Sequence, residues 1–202
     1  MAKKTPIEFW FDFSSPYAYL AAMQIADMAE EHDRTVLWRP FLLGVVFKEN
    51  GSAPLTKQPM KARYMNHDVE RFARLYDIDF TWPDKFPLAT QAAARAYYWL
   101  EQQNPALAAD FVAVVFDALF ARNRDVSDPA TVLDIAEKMG ADRAALSAAL
   151  EDEAVKDKLK AVCAEAVERG IFGAPMTIVD GEMFWGADRL WMVEEWLENG
   201  GW

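Results

Sequence analysis

Residues 6 to 13, PIEFWFDF, form an almost uninterrupted apolar run rich in aromatic side chains. Such a run predicts a central β-strand buried on both faces. Glu8 and Asp12 are its only charged interruptions. Residues 16 to 31 then carry Tyr17, Leu20, Ala21, Ile25 and Met28 at helical spacing. Pro16 suits the first turn of that helix, where its missing N–H has no bond to lose. Ser15 therefore falls at or beside the N-cap. TVLWRPF, residues 35 to 41, reads as a second strand and completes a β-α-β unit.

From about residue 57 to residue 170 the pattern is helical. KARYMNHDVERFARLYD places Tyr64, Met65, Val69, Phe72 and Leu75 on one expected face. TQAAARAYYWLEQQ, ALAADFVAVVFDALFARN, PATVLDIAEKMG and ADRAALSAALEDEAVKDKLKAVCAEAVERG continue the block, with Pro87, Pro105 and Pro129 at its breaks. FKENGSAP, residues 47 to 54, is expected to be a loop. Near the other end, PMTIVD and EMFWG flank Gly181 and predict a hairpin, with Asp180-Gly181 as its turn. DRLWMVEEWLEN reads as a final amphipathic helix with Leu190, Val193, Trp196 and Leu197 on one side. The order is β-α-β, helical block, β-β-α. That is an α/β thioredoxin-like fold with a large all-helical insertion, expected as residues 1–45 plus 171–202 around an insertion of residues 46–170.

Composition narrows the function. The formal net charge of -11 disfavours a nucleic-acid partner, and no Lys/Arg run is long enough to form a basic patch. Cys163 is the single cysteine, so neither an intramolecular disulfide nor a multi-cysteine zinc site is available. It lies mid-helix among alanines and reads as a small buried residue. The EEHD and DVERF acidic groups read as solvated helix faces, and no metal is expected. No stretch approaches the roughly 20 apolar residues that span a bilayer, and no signal peptide is read, so a reducing compartment, the cytoplasm, is expected.

Three features together carry a family resemblance: FDFSSPYAYL, FGAPMTIVDGEMFWGADRL, and the helical block between them. The chain resembles the kappa-class glutathione transferases and, more closely, their bacterial relatives, the 2-hydroxychromene-2-carboxylate isomerases. Both belong to the thioredoxin-fold group that includes DsbA-type oxidoreductases. In DsbA-type proteins the first helix opens with Cys-x-x-Cys; here the positions are Ser15-Pro16-Tyr17-Ala18. With both sulfurs absent, dithiol exchange at this site has no nucleophile and no resolving thiol.

Ser15 also lacks support as a nucleophile. It has no G-x-S-x-G elbow, and the two histidines, His32 and His67, read as surface residues. The better account brings the sulfur in on a cofactor, glutathione. A helix N-terminus offers unsatisfied N–H groups and a partial positive charge that favour an anion. A drop of about two units from a free thiol pKa of about 8.5 raises the thiolate fraction at pH 7 to about three quarters. Ser15 is then a thiolate stabiliser as well as an N-cap.

The resemblance implies further roles. Pro16 and Tyr17 belong to the glutathione-binding first turn. A cis peptide is implied between Ala174 and Pro175, leaving the Ala174 backbone to pair with the tripeptide by strand addition. In Trp185-Gly186-Ala187-Asp188, the Ala187 N–H and the Asp188 carboxylate would hold the γ-glutamyl end, with N-capping as the rival role for Asp188. Lys61 matches a lysine near the glycyl carboxylate, and Ser52 stands where eukaryotic members have asparagine. On the acceptor side, Lys48 is the candidate carboxylate partner and Phe47, Trp82 and Phe86 the candidate ring contacts. The implied partners are glutathione and a small aromatic carboxylate or electrophile, in a homodimer. Three functions stay open: a glutathione-dependent cis-trans isomerase, a kappa-like transferase, and a non-catalytic thioredoxin-like binding module.

Overall fold

The structure, a computed structural model, describes residues 4–202. Four strands form one mixed sheet: β1 (Ile7–Phe11), β2 (Val36–Pro40), β3 (Met176–Val179) and β4 (Glu182–Trp185), in the order β2-β1-β3-β4. β1 runs parallel to β2 and antiparallel to β3, and β3 and β4 are antiparallel. The helices are α1 (Pro16–Glu31), α2 (Leu43–Asn50), α3 (Pro59–Leu75), α4 (Gln91–Gln103), α5 (Pro105–Phe120), α6 (Pro129–Lys138), α7 (Arg143–Glu151), α8 (Glu153–Glu168) and α9 (Leu190–Asn199). The fold is thioredoxin-like, with helices α2 to α8 between the two halves of the sheet.

Alternation along β1 sends its aromatic rings to two faces. On one face Phe11 and Phe13 meet Phe116 of α5, at ring-centroid distances of 5.5 and 5.1 Å. Tyr19 of α1 joins them, 6.0 Å from Phe116 and 5.4 Å from Phe120. On the other face Trp10 lies beneath the guanidinium groups of Arg39 and Arg169, 4.4 and 5.3 Å from the ring centre. Glu8, the charged residue inside the apolar run, shares that face. Both its carboxylate oxygens accept from Arg169, at 2.7 and 3.1 Å, and one accepts from the Trp10 indole at 3.0 Å. A half-buried carboxylate is tolerated there because all its neighbours are donors.

The hairpin turn has φ of 51° at Asp180 and 95° at Gly181. Both angles lie in the left-handed region, as a two-residue type I′ turn requires. The Asp180 carboxylate accepts both Arg34 Nη groups, at 3.0 and 2.8 Å, which fastens the hairpin to the loop after α1.

Three expectations change. FKENGSAP is not all loop: Phe47 to Asn50 are the last residues of α2, which stops at Gly51 with φ of 71°. On α3, Tyr64 and Leu75 point outward at 62% and 68% exposure, and the buried line runs through Met65, Asp68, Val69 and Ala73 instead. The last helix begins with a single 3-10 turn, Ala187–Arg189, and its Trp196 and Leu197 are only half-buried. In addition, the segment 141–170 divides into α7 and α8 at Asp152, whose carboxylate caps Ala154 N–H at 2.7 Å.

Candidate active site

The first turn of α1 begins at Ser15, which is 6% exposed. Its Oγ accepts from Ala18 N–H at 3.1 Å, the expected N-cap bond, and donates to the Ala174 carbonyl at 3.0 Å. Pro16 has no N–H, Ala18 N–H is taken by Ser15 Oγ, and Tyr19 N–H bonds the Ser15 carbonyl at 3.0 Å. Tyr17 N–H is left as the first-turn donor without an acceptor among the described residues. The positive end of the helix therefore has one free donor beside the serine.

Ala174 precedes Pro175, and the bond between them is cis. The Ala174 N–H has no acceptor among the described residues, whereas its carbonyl holds the Ser15 hydroxyl. The Pro175 carbonyl accepts Gly186 N–H at 3.0 Å, which brings the WGAD segment alongside. Two glycines make that approach possible. A Cβ on Gly173 would fall 2.4 Å from Trp185 Nε1, so only glycine lets the indole lie across the FGAP loop. Gly186 has φ of 103°, and a Cβ there would fall 2.4 Å from Asp188 Oδ1. Trp185, 55% exposed, packs edge-on against Phe172 at 4.9 Å and forms a surface wall beside the loop.

Asp188 is not a helix cap. The 3-10 turn has Gly186 at its cap position with no side-chain bond, and the Asp188 carboxylate pairs with Arg189 at 2.5 Å. The N–H groups of Ala187 and Asp188 have no acceptors among the described residues. A carboxylate ligand fits two such N–H groups, and a cationic amine fits Asp188.

Tyr17 extends the site toward the insertion. Its hydroxyl donates to Asp68 Oδ2 at 2.9 Å, and Arg71 Nη1 donates to Asp68 Oδ1 at 2.6 Å. Burial, then Asp68, then Tyr64 and Asp188 push the phenol well above its usual range, so Tyr17 stays protonated. The reading of DVERF as a solvated acidic face fails at Asp68, which is 9% exposed because its carboxylate turns inward to the Tyr17 hydroxyl.

The remaining expected residues are placed as follows. Ser52 follows α2, exposed, with its N–H on Asn50 Oδ1 at 2.9 Å. Lys61 is exposed in the first turn of α3, and Lys48 is exposed on α2. Neither lysine makes an ion pair among the described residues. Phe47 is half-buried on α2. Trp82 and Phe86 pack on each other at 5.4 Å within a cluster that includes Phe80 and Phe120, and Trp82 donates to Glu70 at 3.1 Å. The structure joins Ser15, Ala174, Pro175, Gly186 and Asp188 through a chain of direct contacts. Ser52, Lys61, Lys48, Phe47, Trp82 and Phe86 have no hydrogen bond to that group among the described residues.

Cys163 is buried on α8, its sulfur accepting Leu42 N–H at 3.4 Å. Burial pushes its thiol up, with the Leu42 N–H acting against it. No helix among the described residues is long and apolar enough to cross a membrane.

The profile of the DSBA-like thioredoxin domain matches residues 6–198. The chain belongs to that family. It is 31% identical to the 2-hydroxychromene-2-carboxylate isomerase of Sphingobium xenophagum, over 95% of this chain and 97% of the relative. It is 26% identical to human glutathione S-transferase kappa 1, over 95% and 92% of the two chains. A solved 2-hydroxychromene-2-carboxylate isomerase superposes with a TM-score of 0.86 at 28% identity, covering 96% of this chain and 94% of that one. The family resemblance drawn from the two terminal motifs is thereby established.

Proposed function

We propose that this protein is a glutathione-dependent isomerase acting on a small aromatic carboxylate of the hydroxychromene type. One observation carries the reading: an N-cap serine, rather than a cysteine, sits buried against the carbonyl before the cis proline, with donors lacking acceptors on each adjoining segment. The names of the relatives point the same way. Glutathione held there supplies a thiolate able to add reversibly to a conjugated carbon, so that a double bond becomes rotatable.

The residues fit that tripeptide. Ser15 keeps its proton and turns its O–H from the Ala174 carbonyl toward the sulfur. The Ala174 carbonyl so released, together with the Ala174 N–H, accepts an extended peptide as an added strand. Tyr17 N–H adds a second donor for the anionic sulfur at the positive end of α1. Ala187 and Asp188 N–H groups hold the γ-glutamyl carboxylate, and the Asp188 carboxylate takes the amino group. Lys61 serves the glycyl carboxylate, and Ser52 makes a polar contact to the tripeptide. Phe47, Lys48, Trp82 and Phe86 serve the acceptor, with Lys48 paired to its carboxylate.

Stopped-flow absorbance with a hydroxychromene carboxylate tests this: isomerisation requires glutathione, and a rate equal to background retires the reading. The kappa-class relatives favour a second reading, conjugation of glutathione to electrophiles. Conjugates formed from a panel of halogenated aromatics, with no isomerisation, would favour it. Failure of glutathione to bind in a calorimetric titration would leave a non-catalytic binding module.

A further inference from the structure

We propose that Asp12 is a positioning residue that pins α2 to the Ser15 junction and so aligns the acceptor wall with the glutathione sulfur. The inference rests on the functional reading above for its catalytic part and on geometry for the rest. Asp12 is 4% exposed. Its Oδ1 accepts Ser14 N–H at 2.8 Å and the Thr90 hydroxyl at 2.7 Å, and its Oδ2 accepts Leu43 N–H at 2.7 Å. Those donors stand at the starts of α1, α4 and α2, so three helix N-termini meet on one carboxylate.

One of these helices depends on it for capping. The cap position of α2 is Leu42, which has no side-chain acceptor, and Asp12 replaces it from another element. Thr90 occupies the cap position of α4, yet its hydroxyl turns to Asp12 instead of its own helix. Residues that ordinarily secure helix ends locally are thus committed to a shared joint. α2 carries Phe47 and Lys48, whereas the bonds that fix Ser15 itself, to Ala18 and Ala174, bypass the Asp12 side chain. Asn cannot substitute: with its oxygen at Oδ1, its amide nitrogen faces the Leu43 N–H, donor against donor.

The joint contains its own reporter. Leu42, next to the pinned Leu43, donates to Cys163, the chain's single thiol. Lifting the start of α2 uncovers that sulfur whether or not the protein is an enzyme. In Asp12→Asn we expect Cys163 to react with a disulfide reagent at least about ten times faster than in the unaltered protein. We also expect kcat to fall about a hundredfold from misalignment, while calorimetric glutathione affinity stays within about threefold. Thr90→Val, which removes one donor of three, should move both readouts the same way by less, and decides the matter where Asp12→Asn does not fold. Cys163 reactivity unchanged in both variants overturns the pin. Exposed Cys163 with unchanged kcat overturns its catalytic consequence, and loss of glutathione affinity in step with kcat overturns the assignment to the acceptor side. Absence of any glutathione activity in the unaltered protein instead sinks the functional reading, and the Cys163 measurement still tests the joint.

Discussion

The Ser15 hydroxyl donates to the Ala174 carbonyl at 3.0 Å, joining the start of the first helix to the loop before the third strand across 159 residues of sequence. The bond explains how a site built from both ends of the chain is kept in register without a ligand. It also makes the serine exchangeable. A peptide N–H that takes over the Ala174 carbonyl frees the hydroxyl to turn to an anion, so docking the peptide and activating its sulfur are linked.

Gly173→Ala separates the wall of the site from its fold. The added Cβ meets only the end of the exposed Trp185 side chain, which can swing away. Stability should change by less than about 1 kcal/mol in urea unfolding. Glutathione affinity measured by calorimetry should fall about three- to tenfold. Unaltered affinity would remove Trp185 from the binding surface.

Tyr17→Phe leaves the Asp68 carboxylate with Arg71 alone. A hydrogen bond to a charged group contributes about 1.5–3 kcal/mol, so urea unfolding should show a loss of about 2 kcal/mol. Because the phenol is held protonated by burial and Asp68, its loss should not create or remove an ionisation in the neutral pH-rate profile.

Much of this architecture was legible because its signals are local. The apolar run of β1, Pro16 behind a serine cap, and the Asp180-Gly181 turn each state their geometry within a few residues. α2 was not legible for a physical reason: its first N–H is satisfied by Asp12, 31 residues earlier, so no capping residue marks its start. The face of α3 is not legible because Tyr64 and Leu75 fit the apolar period but lie on its outer side, while Asp68 lies inside, bonded to Tyr17. The acceptor residues are the least legible part. Trp82 and Phe86 pack as core aromatics do, and sequence pattern does not separate the two uses.

Phe116→Ala tests the packing that joins sheet and insertion. Phe116 is fully buried and meets the rings of Phe11, Phe13, Tyr19 and Phe120. Truncating a buried Phe costs about 3–5 kcal/mol. Chemical denaturation should show that loss in a single transition, since the aromatic core is continuous across both halves; two separated transitions would argue against a shared core.

Acidification should act through Glu8. Burial raises its carboxyl, but the Arg169 and Trp10 hydrogen bonds and the guanidinium charges outweigh it, and the net result lies below the ordinary value of 4.5. A carboxyl depressed in the folded state stabilises the protein fully above its unfolded value, and that contribution is lost as pH falls through the folded one. Glu8→Gln should therefore be less stable than the unaltered protein near neutrality. The difference should shrink between about pH 5 and pH 3 in urea midpoints, and a constant difference would show that the ion pair contributes nothing.

The central claim is that the start of α1 makes a bound sulfur anionic with Ser15 as its donor. Titrating the ultraviolet absorbance of the glutathione thiolate on the protein tests it most directly. The apparent pKa should fall well below the free thiol's value of about 8.5, and Ser15→Ala should move it back toward that value. A bound sulfur that titrates like free glutathione, or a depressed pKa that survives in Ser15→Ala, would contradict it.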